Sequence, residues 1–292
     1  MDLINFTDTQ QTKKAYVEAS CQNKSVIYDG SRYMLKFASA YRKDGTNRRS
    51  NSCFSEYLGC QIFQSIGIPT QRTLLGFFRE NGKERSVVAC SDFTSPGITL
   101  QNFASLKNQI LDSTQSKGMK LSSIQHVLQE QRAVPTELLK ERFWNMFIVD
   151  ALIGNGNRND ANWGFLYNAE TDEASLSPIY ACSNSLFPQM EEQEMVQVLS
   201  DETELDRLVY NSPASIFQIG DKRINYFDFI SSGLSPDCTQ ALIQITPRID
   251  MEQIRDIIWE MPLVSELQKC FYWAILAERK RKILDFSLEK LR

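Results

Sequence analysis

From Ser25 to Phe37 the run SVIYDGSRYMLKF predicts two strands rich in β-branched and aromatic residues, joined at Tyr28-Asp29-Gly30-Ser31, a hairpin pattern. Residues 39–52 (SAYRKDGTNRRSNS) have the polar, basic composition of a loop, and Asn51-Ser52 stands where it can cap a helix. In CFSEYLGCQIFQSIG the residues Phe54, Leu58, Ile62, Phe63 and Ile66 recur at helical spacing. Gly67 stops that helix and Pro69 keeps it stopped. TQRTLLGFFRE and ERSVVACSDF predict two further strands, meeting at Asn81-Gly82. The first third of the chain therefore reads as a sheet carrying one helix.

After Ser95-Pro96-Gly97 the spacing turns helical: LQNFASLKNQILDS, LSSIQHVLQEQ, then Pro135 to Ile153, apolar almost all round from Phe143 onward and so expected at the centre of a lobe. NWGFLYN and SLSPIYAC predict two short strands around the turn-prone NAETDEA. Helical patterns resume beyond Pro188, the last running from about Val264 towards Leu291. The expected division is a sheet lobe, 1–97, and a helical lobe, 98–292.

With 292 residues, 42% of them hydrophobic, the chain can bury the core of two lobes. No run approaches the roughly 20 apolar residues of a membrane span, and MDLINFTDTQQTKK lacks the apolar stretch of a secretory signal, so a cytoplasmic address and no membrane contact are expected. A net charge of −4 lacks the basic footprint of a nucleic-acid binder, and Arg48-Arg49 and the Arg279 to Lys282 run read as solvated faces. Seven scattered cysteines without a CxxC pair point to apolar fillers rather than disulfides or zinc. The single histidine, His126, has no second histidine to form a metal cluster or proton relay.

Candidate chemistry gathers in two places. Lys36 lies on a predicted strand and Glu56 one turn into the next helix, the arrangement by which kinases orient ATP phosphates. Taken singly, a strand-end lysine is more often a solvated edge residue, and Glu56 fits as a first-turn acid favoured by the helix dipole. After the buried helix comes ALIGNGNRNDANWGFL, where Asn157 and Asn162 stand five apart, the spacing of a kinase's catalytic aspartate and metal-binding asparagine. At Asn157 the residue is an amide, which carries no charge and cannot act as a general base.

The blocks YMLKF, NSCFSEYLGCQIFQSIGIP with TLLG, VVACSDFTSPG, LKNQI, RFWNMFIVDALIGN with NWGFLYN, SPIYACSNSLFPQ, INYFDFISS and FYWAILAERKRKIL run in order through nearly the whole chain. In them the sequence resembles the HipA-type kinases, especially their small single-chain, CtkA-like branch. The resemblance implies an α+β bilobal fold, a β-rich N-lobe and a larger helical C-lobe, with the catalytic loop at 154–164 and a metal motif at 178–183. It also implies departures. The family's GNxDRHxxNWG reads GNGNRNDANWG here, placing Asn157 at the base position, Asn159 at the histidine position and Asn162 at the metal asparagine. Its Y/F-D-C-G reads YACS, placing Ala181 at the metal-binding aspartate and Ser183 at the glycine. Its glycine-rich phosphate loop matches Tyr16 to Asn23, where Val17 and Cys21 add bulk and Glu18 adds negative charge.

Asp160 is the remaining carboxylate of the loop, a weak substitute for the base and also a common turn residue. Asp92 is a further cleft-edge candidate for nucleotide binding. The resulting expectation is a pseudokinase that needs no cofactor and acts by contact with a protein, an active kinase relative or a HipB-like antitoxin. The alternative is an active, or deliberately inactivated, serine/threonine kinase of this family using ATP and Mg²⁺.

Overall fold

The computed structural model describes residues 3–14, 23–38, 40–43, 45–112, 118–211 and 214–292. Among the described residues of the first third, eight strands form: β1 (Ile4–Asn5), β2 (Gln10–Thr12), β3 (Lys24–Tyr28), β4 (Ser31–Phe37), β5 (Ala40–Lys43), β6 (Thr46–Arg49), β7 (Thr73–Glu80) and β8 (Lys83–Ser91). Between β6 and β7 runs α1 (Ser52–Ser65). Six strands make one sheet in the order β1-β7-β8-β4-β3-β2, antiparallel except for β1 against β7.

Strand periodicity divides this sheet's faces. Tyr33, Leu35 and Phe37 of β4 join Val87 and Ala89 of β8 and Phe6 in a small core on one side. Val88 and Cys90 face the other way, into the main core with Leu58, Ile62 and Phe63 of α1. Lys36, between Leu35 and Phe37, is thereby turned towards α1. The turn between β7 and β8 has positive φ at both Asn81 (51°) and Gly82 (72°), the conformation that an Asn-Gly hairpin favours. Gly67 ends α1 at φ 81°, with the Ile68 N–H donating to Phe63 O at 3.0 Å.

The remainder is helical around a second small sheet. It comprises β9 (Ile98–Asn102), α2 (Phe103–Ile110), α3 (Leu121–Glu130), α4 (Thr136–Ile153), β10 (Gly164–Asn168), β11 (Glu173–Leu176), α5 (Glu192–Ser200) and α6 (Glu202–Asn211). A two-strand ribbon, β12 (Gln218–Ile219) and β13 (Lys222–Arg223), precedes α7 (Tyr226–Ser232), α8 (Pro236–Ile245), α9 (Met251–Glu260) and α10 (Glu266–Arg279). A π-helical turn, Lys280–Asp285, joins α10 to α11 (Phe286–Leu291). From Phe143 to Ile153 every residue of α4 is buried, which explains a pattern that is apolar on nearly all sides. Among the described residues no helix is long and apolar enough to cross a membrane.

Several sequence expectations give way. Within the stretch 39–52 expected as a loop, Ala40–Lys43 and Thr46–Arg49 instead pair as the β5–β6 ribbon. Asn51 precedes α1 but makes no side-chain cap, because its amide is drawn across to Met190 O at 3.2 Å. The LQN of the expected helix is the end of β9, whose backbone pairs with β10; Asn102 caps the shortened α2 by accepting from Ser105 N. The second short strand is Glu173–Leu176, earlier than expected, since the Ile179 backbone pairs with Pro69 and Gln71 rather than with β10. The run from Arg279 to Lys282 is only partly a solvated face: Arg281 is exposed, but Arg279 is buried and donates to Ala151 O at 2.8 Å and Leu208 O at 3.1 Å. The cysteines fit the filler reading except for Cys270, which is exposed, and Cys21, which lies outside the described residues. His126 is exposed.

Candidate functional site

Lys36 Nζ stands 3.3 Å from Glu56 Oε1, with the Glu56 side chain fully buried and that of Lys36 16% exposed. The pair thus joins the central sheet to α1 in a setting where screening is weak. The same Oε1 accepts the Ala181 backbone N–H at 3.1 Å. One carboxylate oxygen therefore ties the first lobe to the segment expected as the metal motif, while Oε2 is buried without a hydrogen-bond partner. Gly59 permits this approach, since a Cβ there would lie 2.6 Å from Cys182 Cβ. A hydrogen bond with Cys182, together with burial, pushes the Cys60 thiol well above its ordinary value, so it packs as a thiol.

Ala181 has φ 58°, a left-handed conformation that glycine, asparagine and aspartate adopt more readily than alanine. Its backbone is shaped for a residue type that its side chain is not.

The loop 154–164 hangs from a buried charge pair that sequence reasoning missed. Asp150 of α4 accepts two bonds from Arg158, Nε to Oδ2 and Nη2 to Oδ1, each at 2.9 Å, and both side chains are 1% exposed. Burial disfavours the Arg158 cation, but the charge and hydrogen bonds of Asp150 overcome this and hold its pKa well above the ordinary value. Arg158 also donates to Asn162 O at 3.1 Å and to Tyr180 O, so one guanidinium fastens the loop to the segment before Ala181. Asn155 donates to Asp150 Oδ1 at 3.2 Å, and its carbonyl accepts from Tyr226 OH of α7 at 2.7 Å. A signal was present: Asp150 is the lone charge in FWNMFIVDALI, and a buried charge requires a partner.

Within this frame the three expected loop residues come together. Asn157 Oδ1 accepts from Asn159 Nδ2 at 3.2 Å, and Asn162 Nδ2 donates to Asn157 O at 2.7 Å. Amides here hold one another. Asp160 points elsewhere, its Oδ2 2.9 Å from Nζ of buried Lys107, which also donates to Gly118 O at 2.6 Å. Trp163 anchors the far end, stacked on Phe103 with centroids 4.1 Å apart.

Asp92 lies at the end of β8, its side chain 3% exposed, 2.6 Å from Lys14 Nζ and 3.6 Å from Arg32 Nη1, and it accepts from Thr94 N and Oγ1. Burial disfavours its carboxylate, but the hydrogen bonds from Lys14 and Thr94 more than offset this and hold its pKa below the ordinary value. It braces a sheet corner. Val17, Glu18 and Cys21 lie outside the described residues. A cavity of about 610 Å³ lies elsewhere, between β9 to β11 and α2, lined by Gln101, Leu106, Arg132 and Tyr167 and by none of the expected site residues.

The residues present do not fit a pair of Mg²⁺ ions. Hard divalent ions need several oxygen ligands, commonly carboxylates. Asn162 offers an amide, Ala181 offers no side-chain ligand and its carbonyl accepts from Asn155, and Asp150 and Asp160 are paired with Arg158 and Lys107. Among the described residues no group of three or more His, Cys, Asp or Glu could hold a metal ion.

Over 290 residues the chain is 38% identical to the serine/threonine-protein kinase CtkA of Helicobacter pylori strain J99, covering 98% of this chain and 88% of that protein. The crystal structure of a Helicobacter pylori proinflammatory kinase CtkA matches with a TM-score of 0.88 and 37% identity, over 99% of this chain and 98% of that one. HipA of Shewanella oneidensis MR-1, in a complex with HipB and operator DNA, matches with a TM-score of 0.56 over 96% of this chain and 67% of that one. At 13% identity that likeness is one of fold alone. No protein-family model matches the chain.

Proposed function

Because the chain belongs to the family of HipA-type serine/threonine kinases that includes CtkA, we propose that it is a pseudokinase that has kept the bilobal kinase-like body and lost phosphotransfer. The observation that carries this reading is Ala181. It stands at the position where the family pattern expects a metal-binding aspartate, held against Glu56 with a left-handed backbone, and has no side-chain oxygen to offer. Asn157 adds to it: an amide bonded to Asn159 cannot take the proton from a substrate hydroxyl. Val17, Glu18 and Cys21 would further repel or obstruct a nucleotide's phosphates. The protein then acts in the cytoplasm by contact, without a cofactor, on an active kinase relative or a HipB-like partner, and binds neither nucleic acid directly nor membrane.

One observation favours a second reading, that of a kinase using ATP and Mg²⁺: the Lys36 and Glu56 pair is intact. Such a pair also serves as a brace between sheet and helix, so it is not specific to nucleotide binding. Calorimetric titration with ATP, with and without Mg²⁺, separates the two. The pseudokinase reading expects no binding at about millimolar ATP, an affinity weaker than about −4 kcal/mol. Mg²⁺-dependent micromolar binding followed by phosphate transfer to a protein hydroxyl would overturn it.

A further inference from the structure

The β5–β6 ribbon joins Lys36, on the strand before it, to Glu56, on the helix after it, and belongs to neither of the larger sheets. A two-stranded ribbon is marginal in water by itself, so its order depends on what it is fastened to. Two basic side chains of the ribbon, Lys43 and Arg48, reach into the other lobe. Lys43 Nζ lies 2.7 Å from Glu194 Oε2 and 4.0 Å from Glu191 Oε1, and Arg48 Nη1 lies 2.5 Å from Glu191 Oε2. These side chains are 24–42% exposed, leaving the contacts open to salt. At the ribbon's base Asn51 N donates to Pro188 O at 2.6 Å and Asn51 Nδ2 to Met190 O at 3.2 Å.

The acids have a local reason to stand where they do. Glu191 and Glu194 form a capping box at the start of α5, Glu194 Oε2 accepting from Glu191 N at 3.0 Å. The fastening is what the ribbon adds. The hydrogen bond from Lys43, with that from Glu191 N, holds the Glu194 carboxyl below its ordinary range. Residues 188–194 follow the 178–183 segment after four intervening residues, so the ribbon, the start of α1 and the segment beyond Ala181 are bound as one unit.

We infer that the β5–β6 ribbon is an electrostatic strap fastening the sheet lobe to the helical lobe, closed by Lys43 and Arg48 on Glu191 and Glu194 and released when those charges are screened or cancelled. It stands whether or not the cleft takes nucleotide. Release further uncovers the buried start of α1 and Pro188, Met190 and Glu191, which are half-buried while the strap is closed.

Hydrogen exchange by mass spectrometry on the full chain tests it, across salt from low to about 0.5 M, where the screening length is only a few ångströms. For partly exposed ion pairs acting together, exchange in 40–49 and 188–191 is expected to quicken about tenfold with salt while α4 is unchanged. Lys43→Glu/Arg48→Glu should show the fast rate already at low salt. Lys43→Gln/Arg48→Gln should show it too and be flat in salt, a second reading should the charge-reversed variant fail to fold. A salt-independent wild type, or a neutral variant that keeps both protection and salt dependence, would overturn the strap.

Discussion

Ala181 holds a left-handed backbone, which costs an L-residue with a Cβ about 1–2 kcal/mol and glycine almost nothing. What keeps it there is the frame around it: Glu56 takes its N–H, and Arg158 holds the carbonyl of Tyr180. We expect Ala181→Gly to raise stability by about 0.5–1 kcal/mol, part of the relieved strain being offset by the freer unfolded chain. Denaturant titration measures this, and a loss of stability would show that the alanine methyl contributes more through packing than the backbone loses through strain. The same scale explains Arg158, whose value lies in geometry: it reaches Asp150, Asn162 and Tyr180 from one planar fork, which a lysine could not do.

Helix α1 is placed by a small residue. Gly59 lets it lie against Cys182, and the close packing sets Glu56 within reach of both Lys36 and Ala181. A methyl at 59 meets a Cβ, which cannot swing aside as the end of a long side chain can. Gly59→Ala is expected to cost about 1–3 kcal/mol and to part α1 from the 178–183 segment. Thermal unfolding would report the cost, and faster amide exchange at Ala181 the separation. Unchanged exchange at Ala181 would mean that α1 absorbs the methyl without moving. At this scale also lies the error over residues 39–52. Their charges read as a loop because a strand ribbon whose partners are acids of another lobe carries no apolar alternation for a pattern to reveal.

For the whole molecule, ion pairs at the sheet corner couple stability to acid. Asp92 has a folded pKa below its unfolded value of about 3.9, so its contribution is complete above about pH 4 and is lost as the pH falls through the folded value. Asp92→Asn should therefore be less stable than the parent at neutral pH, and the difference should shrink below about pH 4. Urea unfolding at a series of pH values checks it; a constant difference would assign the effect to packing. The lobes, the central helix, the Asn-Gly turn and the amide at Asn157 were legible in the sequence, because periodicity, turn chemistry and residue identity are local properties of a chain. Proximity is not local, and the folded structure alone decided it. The sequence placed Asp160 beside Asn157, whereas folding turned it to Lys107 and made Asp150, seven residues before Asn157, the anchor of the loop. Likewise Arg279, written within a basic run, became a buried brace at Ala151 O because helix packing left its guanidinium no path to water.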